Sequence, residues 1–386
     1  MQTAEVNIIW RYTAMTSKTM CILFSESYGV TPNELAAHRT LATVPFAGRY
    51  RLIDFALSSL VKSRVFDIGI LTKEHYGSLM DHLGWGKDWD LDRKNGGIKV
   101  LTPFAKAESA ATRNRSKVDA LLSARAYLET CDADTVILSD ANLVMNIDFD
   151  EMIRFHQNQD ADITMLYQNK ICPGHTGGVL EHDESGRIID VYYTTVQHSE
   201  PQNALFGVYI FNKELLLTML DRAYTFGWVD FERDFITKNL HKLKVFGFEH
   251  AGYSAIINSV GDYYNASMDI LQSDIRRELF YSDAPILTRV KNSVPTIYGF
   301  DGKVQNSLIA DGCEIDGELR NCIIFRDVKI EKGAVLENSI IMQNTVIRSG
   351  ARLNCVIADK DVTIESEHAL SGYQTYPFVI AKGQRV

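Results

Sequence analysis

Six cysteines are the first residues to test for chemistry: Cys21, Cys131, Cys172, Cys313, Cys322 and Cys355. None forms a CxxC pair, and none stands at zinc-finger spacing to a histidine, so the set reads as reduced, mostly buried thiols. Positive charge is the second resource. Arg49 and Arg51 lie together in one segment, and Arg326, Arg348 and Arg352 follow in another. A local group of guanidinium ions is enough to hold a small phosphorylated ligand. The chain as a whole is acidic, with 49 Asp+Glu against 40 Lys+Arg and a formal net charge of -9. That balance argues against a general nucleic-acid binder, which needs a basic face to neutralise phosphates.

A chain of 386 residues suggests two domains. Apolar residues make up 46% and charged residues 23%, as in ordinary globular proteins. No apolar run approaches the roughly 20 residues of a membrane span. Met1–Ser17 has no basic start leading into an apolar core, so it reads as an N-terminal extension, with Met15 or Met20 as alternative starts. From Thr19 short apolar runs alternate with helical spacing. Thr19–Ser25, Asp67–Leu71, Ile98–Leu101, Thr135–Leu138 and Ile163–Tyr167 read as strands. Leu52–Val61, His75–Leu83, Lys117–Leu128 and Asp150–His156 read as helices. Buried strands separated by helices imply βαβ units and a mainly parallel, Rossmann-like α/β sheet. Ligands on such sheets bind outside the carboxyl ends of the strands.

Past Val290 the helical signal stops. Ile324, Ile330 and Leu336 are spaced by six, as are Ile341, Ile347 and Leu353, and Ile309 and Ile315 take the same step. Gly312, Gly317, Gly333 and Gly350 recur between them. An aliphatic residue every sixth position marks a parallel β-helix whose coils stack. The expected division is therefore 1–18 extension, 19–290 sheet domain and 291–386 left-handed β-helix. Ile340, Ile341 and Met342 give one coil more apolar surface than one inward position uses, and Phe378–Ile380 adds a further run. Both suggest faces for subunit association.

Val44–Ser59, VPFAGRYRLIDFALSS, closely resembles a segment of the sugar-nucleotide pyrophosphorylases, ADP-glucose pyrophosphorylase (glucose-1-phosphate adenylyltransferase) in particular. Ile68–Thr72 (IGILT), Leu79–Trp85, Phe206–Phe211 (FGVYIF) and Met268–Leu271 (MDIL) match in the same order. The resemblance implies a nucleotidyltransferase domain followed by a left-handed β-helix. It also implies a reaction in which glucose 1-phosphate attacks the α-phosphorus of ATP and pyrophosphate leaves. Such chemistry rests on positioning and charge neutralisation, with Mg²⁺ bridging phosphates. By this resemblance Asp140, ending the run Val136–Asp140, matches the family's metal-binding aspartate. Gly29 and Gly48 are the glycines left for the nucleotide.

The departures are concentrated on the catalytic contacts. The family's GGxGxRLxPLT-like loop is here Ser25–Leu35, SESYGVTPNEL, with one glycine, no arginine and an added Glu26. Losing one preorganised donor of this kind costs ~10²–10³ in rate. The lysine of KPAVPF is replaced by Leu41, with Arg39 two positions away. The RDVGT stretch that carries the second aspartate corresponds to Ile256–Asp262, IINSVGD, where Asp262 is the nearby carboxylate. The EKP lysine has no clear partner in Val191–Thr195, and Leu205 stands where a sugar-contacting serine is common.

This pattern resembles the regulatory-type, non-catalytic bacterial subunit of the family. The resemblance implies a cytoplasmic hetero-oligomer, a tetramer, with a catalytic subunit in glycogen biosynthesis, or self-association. It implies Mg²⁺ only where activity is retained, and a phosphorylated effector for which Arg49, Arg51, Arg326, Arg348 and Arg352 are candidates. A self-sufficient adenylyltransferase with an altered loop is the alternative. A hexapeptide acyltransferase is disfavoured, because Val304–Ile364 contains no histidine base.

Overall fold

The computed structural model describes residues 18–26, 28, 34–73, 75–102, 116–170, 178–193, 200–281 and 285–386. The expected extension up to Ser17, together with Gly29 and Cys172, lies outside them. Nine strands form the first sheet: β1 (Thr19–Phe24), β2 (Asp67–Leu71), β3 (Gly97–Leu101), β4 (Thr135–Asp140), β5 (Ile163–Lys170), β6 (Gly178–His182), β7 (Ile188–Tyr193), β8 (Gln202–Asn212) and β9 (Val245–Glu249). Their helices are α1 (Leu52–Lys62), α2 (Gly77–Leu83), α3 (Lys117–Ser123), α4 (Arg125–Thr130), α5 (Phe149–Asn158), α6 (Lys213–Phe226), α7 (Val260–Asp269) and α8 (Ser273–Phe280).

β1 shows why the centre is parallel. Its last five residues are all buried, so both faces must be covered. It lies between β2 and β4, parallel to both, and β3 continues the sheet beyond β2. The expectation of a mainly parallel sheet needs one correction. β8 runs antiparallel to β4 and to β5, and the β6–β7 ribbon pairs against its first half. The ribbon turns the chain round before β8, and period alone does not report strand direction. β5 and β9 are again parallel.

The single helix expected over Lys117–Leu128 is two helices. The Ala124 N–H is shared among the carbonyls of Ala120, Leu121 and Leu122, and Ser123 Oγ donates to the Ala120 carbonyl at 2.6 Å. That local bond competes with the helical ladder. α1 is buried from two sides. Ile53, Ala56, Leu57 and Leu60 enter one core with β2 and β4, while Leu52 and Phe55 enter another against the C-terminal domain.

The six-residue spacing becomes a three-sided prism. Three parallel sheets of five short strands stack along residues 297–380. Ile324, Ile330 and Leu336 occupy three successive faces of one coil, and Ile341, Ile347 and Leu353 the same faces of the next. Lys303 pairs with Glu318, and Glu318 with Val335, so a coil takes 15 or 17 residues, except the last, where Val356 pairs with Phe378 after 22. The corners require left-handed backbone, supplied by Gly312, Asp327, Asn344 and Asp361 on one edge. On another edge Asn306, Asn321, Asn338 and Asn354 form a ladder of side-chain amide bonds at 2.8–3.1 Å.

The apolar surplus at Ile340–Met342 has a different use from the one its sequence suggests. All three residues are fully buried within the chain. Ile341 points into the prism, whereas Ile340 and Met342 join Ile323, Phe325 and Ile357 against Leu41, Val44, Phe46 and Tyr263 of the sheet domain. Strand alternation therefore sends one side chain inward and the next into the domain seam. Phe378–Ile380 is the last rung, paired with Val356–Ala358, and Ile380 is buried. Arg39 crosses the same seam. Its Nη2 donates to both carboxylate oxygens of Asp359, at 2.8 and 2.6 Å, and both side chains are buried. Tyr263 OH donates to the Pro45 carbonyl at 2.7 Å, and Tyr264 OH to the Asn338 carbonyl at 2.8 Å.

Candidate functional site

β4 delivers Asp140 to the carboxyl end of the sheet, where a ligand site belongs. The carboxylate is already engaged. Lys117 Nζ donates to Asp140 Oδ2 at 2.8 Å and stands 3.6 Å from Glu232 Oε1. Glu232 belongs to a π-helical turn, Phe231–Ile236, and accepts a bond from Tyr209 OH at 2.8 Å. The Lys117 ammonium lies 5.6 Å from the Phe24 ring centre and 5.8 Å from that of Tyr209. Burial disfavours the Lys117 charge, but Asp140 and Glu232 outweigh it, and its pKa is raised. Burial pushes the Asp140 carboxyl up while the ammonium opposes that. Asp140 Oδ1 is buried without a hydrogen-bond partner among the described residues. Gly207, at φ +64°, closes the remaining side: a Cβ there would overlap Asp140 Oδ2. The β8–β5 register shifts between Leu205 and Tyr209, around that glycine.

Among the described residues, the second aspartate that the resemblance implies has no counterpart beside Asp140. Asp262 Oδ2 accepts the backbone N–H groups of Asn258 (3.1 Å) and Ser259 (2.9 Å), while Ser259 Oγ accepts the N–H of Asp262 (3.1 Å). This is a capping box that starts α7. With Val260–Gly261 in register with the VG of the RDVGT motif, the residue in the aspartate's place is Ser259.

The positions that the resemblance assigns to the phosphate side serve structural roles. Leu41 is buried in the domain seam, and Arg39 is committed to Asp359. Leu205 is buried, with Gly178 so close that a Cβ there would lie 2.7 Å from Leu205 Cδ1. Glu26 accepts the Leu41 N–H at 3.5 Å, and burial raises its pKa to about 7. Gly48 occupies the tight turn between Pro45–Phe46 and Tyr50–Arg51, with a virtual Cβ 3.6 Å from the Ile324 carbonyl oxygen.

The five arginines separate. Arg49 and Arg326 are neighbours: burial, and then the Arg49 charge, lower the pKa of Arg326. Arg49 also lies 5.4 Å over the Tyr50 ring, which stacks on Phe280 at 4.9 Å. Beside them a cavity of about 300 Å³ opens between the Ala47–Tyr50 turn, the end of α8 and Leu308–Ala310, with Arg276 in its wall. The Arg51 guanidinium instead donates to the Ser78 carbonyl (2.7 Å) and Oγ (2.8 Å), and burial lowers its pKa to about 10. Its backbone N–H, not its side chain, meets Asp54, whose other oxygen lies 2.6 Å from His82 Nε2. Arg348 pairs with Glu331 at 2.8 Å, and Arg352 is exposed on a different prism face.

Lys117, Glu232, Tyr209 and Arg276 escaped the sequence reading. Lys117 did carry a signal. It follows the N-cap Ser116, in the first helical turn, where a cation opposes the helix dipole. A residue placed against its local preference is serving a tertiary contact.

A mixed nucleotide-type sheet sealed onto a hexapeptide prism defines a sugar-nucleotidyltransferase architecture. Residues 34–250 match the nucleotidyl transferase family, and residues 293–374 match the GlmU-like C-terminal hexapeptide family. The glycogen biosynthesis protein GlgD of Bacillus subtilis is 33% identical over 363 residues, covering 94% of this chain and 95% of that protein. GlgD of Geobacillus stearothermophilus is 35% identical over 379 residues, covering 96% and 97%. Glucose-1-phosphate adenylyltransferase of Clostridium perfringens (strain SM101) is 29% identical over 310 residues, 79% of each chain. The chain therefore belongs to the nucleotidyl transferase family, in the ADP-glucose pyrophosphorylase group that contains GlgD. Among the described residues no helix is long and apolar enough to cross a membrane.

Proposed function

We propose that this chain is a regulatory or scaffolding subunit of glucose-1-phosphate adenylyltransferase in glycogen biosynthesis, and that alone it makes little ADP-glucose from ATP and glucose 1-phosphate. One observation carries the reading. Leu41, which stands in the place of the missing phosphate-binding lysine, and Arg39, two positions away, are both built into the seam with the β-helix, so neither is available to a phosphate. Retaining the fold while spending these positions on packing is what a subunit needs if it acts through a partner. The partner is a catalytic subunit of the same family, the assembly a tetramer, and the compartment the cytoplasm. Binding the partner's active and inactive forms unequally shifts them by about 1–3 kcal/mol.

The regulatory ligand in this proposal is a phosphorylated metabolite held by Arg49 and the neighbouring Arg326, in the cavity against the first coils, where Arg276, its Nη1 donating to the Ile270 and Leu271 carbonyls at 3.1 and 3.0 Å, forms part of the wall. Arg51, Arg348 and Arg352 are left out of that set by their own placement. The test is an assay of the chain alone, of the catalytic subunit alone and of the mixture, with light scattering for size. The expected result is negligible turnover alone, and a larger species with an altered effector response in the mixture. Turnover within about tenfold of an ordinary family enzyme, without a partner, overturns the reading. So does separate elution of the two proteins with unchanged kinetics.

A further inference from the structure

We infer that in this chain the Lys117 ammonium stands where the family's divalent cation would sit on Asp140, so that the site is closed to Mg²⁺. The argument is geometric. Nζ reaches Oδ2 of Asp140 from α3 and faces Glu232 from a separate turn, so one cation bridges two carboxylates. Mg²⁺ needs oxygen ligands at roughly 2.0–2.1 Å in an octahedron, and keeps several of its waters. Those waters have little room here. The cation position lies within 6 Å of the Phe24 and Tyr209 rings, a setting that suits an ammonium. The Gly207 backbone closes in where a Cβ would lie 3.5 Å from Nζ. The family's second aspartate has no counterpart here either, with Ser259 in its register position and Asp262 spent on its cap, and the carboxylate that is present, Glu232, faces the ammonium. One free oxygen, Asp140 Oδ1, is a poor replacement for a ligand set. The residues present do not fit a divalent cation.

A lysine buried this deeply must be paired, because an isolated ammonium in such a place costs several kcal/mol. Lys117 thus supplies a fixed positive charge at the carboxylate that the resemblance gives to the metal. Ligation by metal is replaced by a charge-assisted hydrogen bond that needs no supply of ions.

Mn²⁺ serves as the probe, read by electron paramagnetic resonance on the intact chain, its Asp140→Asn variant, its Lys117→Ser variant and the double variant. The expected wild-type result is no Mn²⁺ binding that depends on Asp140. Lys117→Ser is expected to gain a site at least about tenfold tighter, lost again in the double variant. Wild-type binding that weakens by about tenfold in Asp140→Asn overturns the inference, as does a folded Lys117→Ser chain with no gain. Where Lys117→Ser does not fold, the comparison of wild type with Asp140→Asn decides, supported by unfolding midpoints with Mg²⁺ and with chelator, which are expected to coincide. None of these readouts involves a partner or turnover, so this inference can fail while the regulatory reading stands.

Discussion

Replacing Asp359 by alanine leaves the Arg39 guanidinium uncompensated in the seam. Its side chain is only 4% exposed, Nη2 loses both oxygens, and Nη1 already lacks a partner among the described residues. Breaking a buried pair from one side in this way costs about 3–5 kcal/mol. The Lys360 N–H also loses its 2.7 Å bond to Asp359 Oδ1. The assay is urea unfolding followed by tryptophan fluorescence and by far-ultraviolet circular dichroism. Because the pair joins the two domains, Asp359→Ala is expected to lower stability and to separate the two transitions, which should coincide in the wild type. The double replacement Arg39→Met with Asp359→Leu removes both charges together and should recover to within about 1 kcal/mol of wild type. A loss below about 1 kcal/mol in Asp359→Ala, or a double variant no better than the single, refutes the claim that this pair is desolvated and coupled.

Gly207→Ala forces a Cβ onto Asp140 at a left-handed position, and should cost roughly 1–3 kcal/mol in a thermal or denaturant melt; a neutral result would mean that β8 shifts freely there. Lys360 is held at about 7 by burial first and then by the Arg51 and Arg39 charges, so as pH falls from 10 toward 7 the unfolded chain gains its proton before the folded one. Stability should fall across that window in the wild type and lose this component in Lys360→Met, as midpoints measured against pH will show; an unchanged slope would remove Lys360 as the cause. Leu41→Lys buries an unpaired ammonium in the seam and should destabilise by roughly 3 kcal/mol without restoring ADP-glucose synthesis, measured by melting and by pyrophosphate release. Turnover gained at wild-type stability would show that Leu41 alone silences the site.

Much of the fold was legible because period encodes burial. Asp67–Leu71 is the observed strand to the residue, and the step of six in Ile324, Ile330 and Leu336 is one inward side chain per prism face. Direction was not legible: FGVYIF has the same pattern whichever way the strand runs, and β8 is reversed. Nor was the use of an apolar surplus. Ile340 and Met342 could serve a second subunit or the chain's own sheet domain, and only long-range packing shows that they serve the latter. The site was half legible. Asp140 was placed correctly at a strand end, but its partner Lys117 lies 23 residues earlier, and Glu232 comes from a turn whose sequence has no chemical signature. Arginine composition identified a basic region without separating Arg49 and Arg326 from Arg51 and Arg348, whose hydrogen bonds are satisfied locally.

The Arg39–Asp359 pair has a mechanical meaning beyond its stability. Asp359 sits at the end of a late coil of the prism, and Arg39 lies two residues before Leu41, whose N–H reaches Glu26 just after β1. A twist of the prism therefore pulls on the same few residues that lead out of the first strand. The two domains are geared: torque applied to the β-helix by anything that grips it arrives at the mouth of the sheet through the packed seam, in which this ion pair is the directional, charged contact.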